Sequence, residues 1–182
     1  MCAKELKHQR VNARIRAEDF RDPIEFMYAE HERIRRCCEQ LMRLAENPTA
    51  EDATELSASI LDYIENELPL HVADEEEDLF PLLKQASPTD DRLVSVLELL
   101  CVEHQNDIEY GRALFEPLRL ISAGQPPADP AMFAHYVRTF AMLQRRHQAV
   151  ENNVVLPLAF ERLTAGNKTE LGCKMASRRG IS

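Results

Sequence analysis

Four apolar stripes, each interrupted by one histidine, constrain this chain more than any other feature. Apolar residues recurring at steps of three and four mark the buried face of an amphipathic helix. The first stripe runs Ile24, Met27, His31, Ile34, Cys38, Leu41, Ala45, and the second Leu56, Ile60, Ile64, Leu68, His71, Glu75. The third runs Leu93, Leu97, Leu100, His104, Ile108, Phe115, Leu118, and the fourth Phe133, Val137, Phe140, Leu143, His147, Glu151, Val154, Leu158. Four such helices with short joints predict an all-α fold, an up-down-up-down antiparallel four-helix bundle. With only 5 glycines in 182 residues, a β-rich chain of tight turns is a poor alternative.

Local punctuation sets the expected boundaries. Asp22–Pro23 and Asp129–Pro130 each read as an N-cap followed by proline at the first helical position. Asn47–Pro48 ends the first helix. The second opens at Thr49 with Asp52 three residues on, and Pro69 should kink it. Ser87–Asp90 is the next break, the third helix bends near Pro117, and 123–130 is a loop. The fourth helix ends near Ala165–Gly166. The domain reading is therefore a polar arm at 1–22, a bundle at 23–165, and a polar tail or short helix at 166–182.

The histidine pattern is duplicated. Residues 71–82 read HVADEEEDLFPL and residues 147–158 read HQAVENNVVLPL, so both obey His-x-Ala-x-Glu and place proline ten residues after histidine. Upstream, Glu30–His31 matches Glu103–His104, with 40 residues from His31 to His71 and 43 from His104 to His147. Two similar helical hairpins follow, each giving one histidine from its first helix and a His-x-x-x-Glu from its second. Residues i and i+4 share a helix face, so His71 points with Glu75 and His147 with Glu151. Four imidazoles and two carboxylates then converge in one interior. An unpaired buried imidazole costs on the order of 1–3 kcal/mol, and two buried glutamates call for a cation. This donor set fits two iron ions with open positions better than one tetrahedral zinc.

On these residues the chain resembles the hemerythrin-like (HHE) family of non-haem di-iron bundles. The resemblance implies metal ligands at His31, His71, Glu75, His104, His147 and Glu151. It pairs His31 with His71 on one iron and His104 with His147 on the other, with Glu75, Glu151 and an oxo or hydroxo group between them; Mn or Zn would be substitutes. Oxygen-carrying members have a further histidine where this chain has Ile108, and an aspartate five residues after the last histidine where this chain has Glu151 at four. The reduced set is similar to that of the iron-centre repair (RIC) proteins, although residues 1–21 are too short for the cysteine-containing domain those proteins carry. The implied function is binding or reaction with O2, peroxide or NO, in iron-centre repair or stress response, with a redox or iron–sulfur client protein as partner. The alternative is an iron- or oxygen-sensing module without turnover. Whether the chain is an enzyme stays open. Ferritin-like chemistry is a poorer match, because Tyr28, Leu68, Cys101 and Gln144 stand where its Glu-x-x-His acids would be.

Composition excludes several other classes. A formal charge of −9 disfavours nucleic acid, no glycine-rich phosphate loop exists, and no run of about 20 apolar residues suggests a membrane span. The 5 cysteines, without CxxC spacing or a secretory signal, read as reduced and cytoplasmic. Cys38 and Cys101 are expected to be core residues. The acids Asp74, Glu76, Glu77 and Asp78 read as a solvated face, with Glu76 the substitute ligand if the register slips by one. Glu30 and Glu103 are candidates to orient neighbouring imidazoles. Tyr28 and Tyr63 read as core packing, His8 and His135 as surface, and Ile108, Leu100 and Leu143 as the apolar surround of the site.

Overall fold

The computed structural model describes residues 15–87 and 89–181. Most of the basic arm (Lys4, Lys7, Arg10, Arg14), with Cys2, His8 and Pro88, lies outside the described residues. After a 3-10 turn at Ala17–Arg21, helix α1 spans Pro23–Glu46. The second bundle helix is composite: α2 (Ala53–Asp62), a π-helical turn (Tyr63–Glu67), α3 (Leu68–Ala73), a second π turn (Asp74–Leu79) and α4 (Phe80–Ala86). Helices α5 (Asp91–Ala113) and α6 (Phe115–Ser122) form the third. The fourth is α7 (Pro130–Val150), a π turn (Glu151–Val155) and α8 (Leu156–Arg162). Helix α9 (Ala165–Arg178) closes the chain. With α1 packed on α2 and α7, α2 on α6, and α5 on α7, the four-helix bundle is of the expected all-α kind.

Asp22 and Asp129 cap their helices as the sequence indicates, and Asp90, read only as part of a break, caps a third. Asp22 accepts from the Glu25 amide at 3.2 Å, Asp90 from Leu93 at 3.1 Å, and Asp129 from Met132 at 2.9 Å. Asp52 stands at the N-cap of α2 without a side-chain capping bond and pairs with Arg43 at 2.8 Å, and α2 begins at Ala53 and not at Thr49. The prolines explain the interruptions. Proline inside a helix clashes with the carbonyl four residues earlier. For Pro69, Pro81 and Pro157 that carbonyl belongs to Glu65, Glu77 or Asn153, each within a widened π turn. Pro117 looks back at Ala113, the last residue of α5, so the break falls at Leu114.

Two apolar clusters fill the bundle. One gathers Ile34, Leu41, Ile60, Tyr63, Leu118, Phe133 and Phe140; the other gathers Ile24, Met27, Leu79, Phe80, Leu97, Leu156 and Met175. Each fully buried Leu, Ile or Phe contributes roughly 1.5–3 kcal/mol relative to exposure. Between the clusters, along every helix, lies the histidine level.

Of the two forms expected for 166–182, polar tail or short helix, the chain takes the helix, and it docks on the bundle. The fourth bundle helix stops at Arg162, Thr164 caps a new helix through the Asn167 amide at 3.1 Å, and Leu171 and Met175 are buried in the second cluster. Gly172 makes the close approach possible, because a Cβ there would stand 2.2 Å from the Phe20 carbonyl oxygen. Among the cysteines, Cys37 and Cys38 are buried, whereas Cys101 is only half-buried and Cys173 exposed. Cys101 is thus not the core residue its stripe suggested.

Candidate metal centre

The histidine level is a polar belt between two oily ends. Helix α1 supplies His31, α3 His71, α5 His104 and α7 His147, while Glu75 and Glu151 come from the π turns that follow His71 and His147. A π turn adds a residue to the helical circuit and so swings more side chains toward one side; such turns recur at functional sites. After His71, the widened turn buries Asp74, Glu75, Asp78 and Leu79 together.

The six side chains meet. His31, His71, Glu75 and Glu151 offer donor atoms all within 4.8 Å of one another, and so do Glu75, His104, His147 and Glu151. All four imidazoles turn Nε2 inward. Glu75 directs Oε1 toward His31 (3.7 Å) and His71 (3.5 Å), and Oε2 toward His104 (3.2 Å). Glu151 directs Oε2 toward His31 (3.3 Å) and Oε1 toward His147 (3.0 Å). Each carboxylate thus divides its two oxygens between the two histidine pairs.

Three of the four outer ring nitrogens are held by a specific acceptor. His31 Nδ1 lies 2.6 Å from Asn152 Oδ1 and His104 Nδ1 lies 2.7 Å from Glu76 Oε1. Asn152 and Glu76 are equivalent positions of the duplicated motif, each following its glutamate, and each reaches a histidine of the other hairpin. Such acceptors fix the tautomer and leave Nε2 free to ligate. His147 Nδ1 lies 3.3 Å from Glu103 Oε2, whose other oxygen pairs with Arg146. His71 Nδ1 has no hydrogen-bond partner, and Glu30, the counterpart of Glu103, pairs with Arg33. Glu103 therefore orients an imidazole as the sequence suggested, and Glu30 does not. The Phe80 ring stacks over His104 at 6.2 Å.

Burial and charge compete here. Burial disfavours protonated His31, but the carboxylates of Glu151 and Glu75 outweigh it and raise the ring to about 10. His104, opposed by burial and supported by Glu75, rises to about 9, and His147 rises beside Glu151. His71 goes the other way: burial lowers it to about 4 despite Glu75. Burial favours a protonated Glu75, yet His71, His104 and His31 draw its carboxyl well below the usual range. Asp107, buried beside His147 and His104, is raised to about 6 by desolvation. Carboxylate charge thus raises three of the four rings, and burial lowers the fourth.

The donor set fits a metal. Nε2 of His31, His104 and His147 and all four oxygens of Glu75 and Glu151 are buried without a directed hydrogen-bond partner. Native interiors leave few such atoms unsatisfied, and seven at one level face a common centre. The family model described as the hemerythrin HHE cation-binding domain matches residues 22–159. This chain belongs to that family. The chain is also similar to an uncharacterized protein of Haemophilus influenzae, 32% identical over 165 residues, covering 88% of this chain and 91% of the relative. Buried His and Glu groups in a cation-binding family make this a metal-binding hemerythrin-like protein. Among the described residues no helix is long and apolar enough to cross a membrane.

Several neighbours stand apart from their sequence reading. Asp74 and Asp78 are buried, not solvated, Glu76 serves His104, and only Glu77 of that group is largely exposed. Glu75 meets His31, His71 and His104 at their Nε2 atoms, whereas Glu76 meets His104 at Nδ1. Ile108 and Leu143 are only half-buried, and the inward places one residue away belong to Asp107 and Gln144; Leu100 is buried as expected. Tyr28 is half-buried, its hydroxyl 3.5 Å from the Asn152 carbonyl, and Tyr63 packs in the first apolar cluster. His135 is exposed. Asn152 went unrecognised, although aligning the two motif copies puts it opposite Glu76.

Proposed function

We propose that this HHE domain holds two iron ions and uses them to bind or react with O2, peroxide or NO. His31 and His71 would hold one ion, His104 and His147 the other, with Glu75 and Glu151 shared. The observation carrying this reading is the division of each carboxylate's two oxygens between the histidine pairs. A bound ion pair would supply redox change and open positions for a small molecule. The protein's part is to orient and to exclude. Asn152, Glu76 and Glu103 fix three imidazoles, the shared carboxylates neutralise the cations, and the apolar clusters keep bulk water from both ends of the belt. Mn or Zn would occupy the same donors.

The absence of a fifth histidine at position 108 supports reactivity over reversible oxygen carriage, and iron-centre repair or a stress response in the cytoplasm is the setting this suggests. A redox or iron–sulfur client protein would be the partner. A sensing role without turnover has its own support in α9, which is tied by ion pairs to the turn bearing Glu75. Anaerobic loading with ferrous iron, with elemental analysis and Mössbauer spectroscopy, tests the ion pair: two ions per chain are expected. Exposure to O2 or NO should then produce new absorption bands. One ion per chain, or a spectrum indifferent to both gases, would overturn the reading.

A further inference from the structure

The duplicated motif keeps its glutamate but not that glutamate's neighbours. Asp74, Glu77 and Asp78 of the first copy stand where the second copy has Val150, Asn153 and Val154. Asp74 is 0% exposed and Asp78 5%, whereas Val154 is 38% exposed. Burying two carboxylates beside a third is unfavourable unless cations meet them. Helix α9 brings those cations. Arg178 pairs with Asp74 and reaches Asp78 at 2.6 Å and Glu77 at 3.1 Å. Arg179 takes the other Asp74 oxygen at 2.7 Å, and Lys174 lies 3.4 Å from Asp78.

The cations are themselves held. The Arg179 guanidinium lies over Phe26 at 5.0 Å and Phe20 at 5.7 Å, with its side chain 4% exposed. Leu171 and Met175 seat the helix, and Gly172 lets it touch the Phe20 backbone. The turn it grips is six residues of π helix, Asp74–Leu79. Widened turns of this kind are rare and recur at functional sites. Here the turn carries Glu75 toward the histidines, with Asp74 and Asp78 on either side of it. Helix α9 fixes both.

We propose that Arg178 and Arg179 are positioning residues for the metal centre, holding the 74–79 turn through Asp74 and Asp78 so that Glu75 stays between the two histidine pairs. Helix α9 is thereby part of the site, although it carries no ligand. This rests on the metal reading above, and the two can fail separately.

Cobalt(II) is the probe, titrated into metal-free wild type, Arg178→Gln and Leu118→Ala, with visible absorption and thermal melting recorded for each. Arg178 is the tractable choice, its side chain being 18% exposed. Leu118 sits in the other apolar cluster and reports plain destabilisation. Arg178→Gln should weaken cobalt binding about 10- to 100-fold, the range for residues that orient ligands, and should alter the band shape. Leu118→Ala should melt lower yet titrate with the wild-type affinity and spectrum. A wild-type titration in Arg178→Gln, or an equal loss in Leu118→Ala, overturns the positioning role. A wild-type chain that takes up no cobalt overturns the metal reading and this inference with it.

Discussion

Replacing Gly172 with alanine sets two physical effects of opposite sign against each other. In a helix interior, alanine is favoured over glycine by about 1 kcal/mol, so a freely exposed α9 would be strengthened. In the docked helix the added Cβ would stand 2.2 Å from the Phe20 carbonyl oxygen and 3.3 Å from its carbonyl carbon. A comfortable carbon–oxygen contact is about 3.3 Å or more, so helix and turn must separate by roughly 1 Å. Both sides of the contact are backbone, and no side chain can swing away. Overpacking of this kind costs about 1–3 kcal/mol. The net expectation is a destabilisation of up to about 2 kcal/mol, which at roughly 2–4 °C per kcal/mol for a chain this size lowers Tm by as much as about 8 °C. Gly166→Ala is the internal comparison, since its Cβ would meet only Thr164 Oγ1 at an ordinary 3.7 Å. Thermal melting of the metal-free protein by circular dichroism reads both. A Tm for Gly172→Ala above wild type, the result expected of a freely exposed helix, would refute the docking of α9 on the Ala17–Arg21 turn.

Four further outcomes follow from the site and the core. Glu151→Ala, whose native carboxylate is fully buried between His31 and His147, should lose more than about 100-fold in metal affinity, beyond the effect of an orienting residue, while retaining its helical circular dichroism; His135→Ala should keep full metal content, and equal content in both variants would refute the shared-carboxylate assignment. Stripping the metal with a chelator should lower Tm, since a ligand at about 1,000 times its Kd adds about 4 kcal/mol; an unchanged Tm would contradict ligation by the folded state alone. His31 and His104 have raised values near 10 and 9, so the metal-free fold holds both protons at pH 7. Metal loading should then release protons from these rings, seen as a buffer-dependent calorimetric enthalpy, and no buffer dependence would refute the raised values. Burial raises the Cys37 thiol well above its usual value and Cys38 to about 12. Native-state labelling followed by peptide mapping should modify exposed Cys173 and spare both of them.

The bundle and the level at which its polar residues gather were both legible along the chain. Apolar spacing is a local property of a helix face, and the Asp-Pro starts are local too, so both survive in the string of letters. The duplication identified His31, His71, Glu75, His104, His147 and Glu151 as a group because i,i+4 geometry is fixed before any tertiary contact forms. Other features depend on which helix arrives from elsewhere. A run such as Asp74–Glu75–Glu76–Glu77–Asp78 looks solvated when read along the chain, and only the return of Arg178 and Arg179 from about 100 residues away makes its burial tolerable. The crosswise reach of Asn152 to His31 and Glu76 to His104 is likewise between hairpins. Pro69 announced one disruption, while Pro81 and Pro157 were read only as part of the repeat; the π turns before them, which carry Glu75 and Glu151, appear only in the folded helices. Periodicity specifies a face; the partner that meets it is a property of the folded whole.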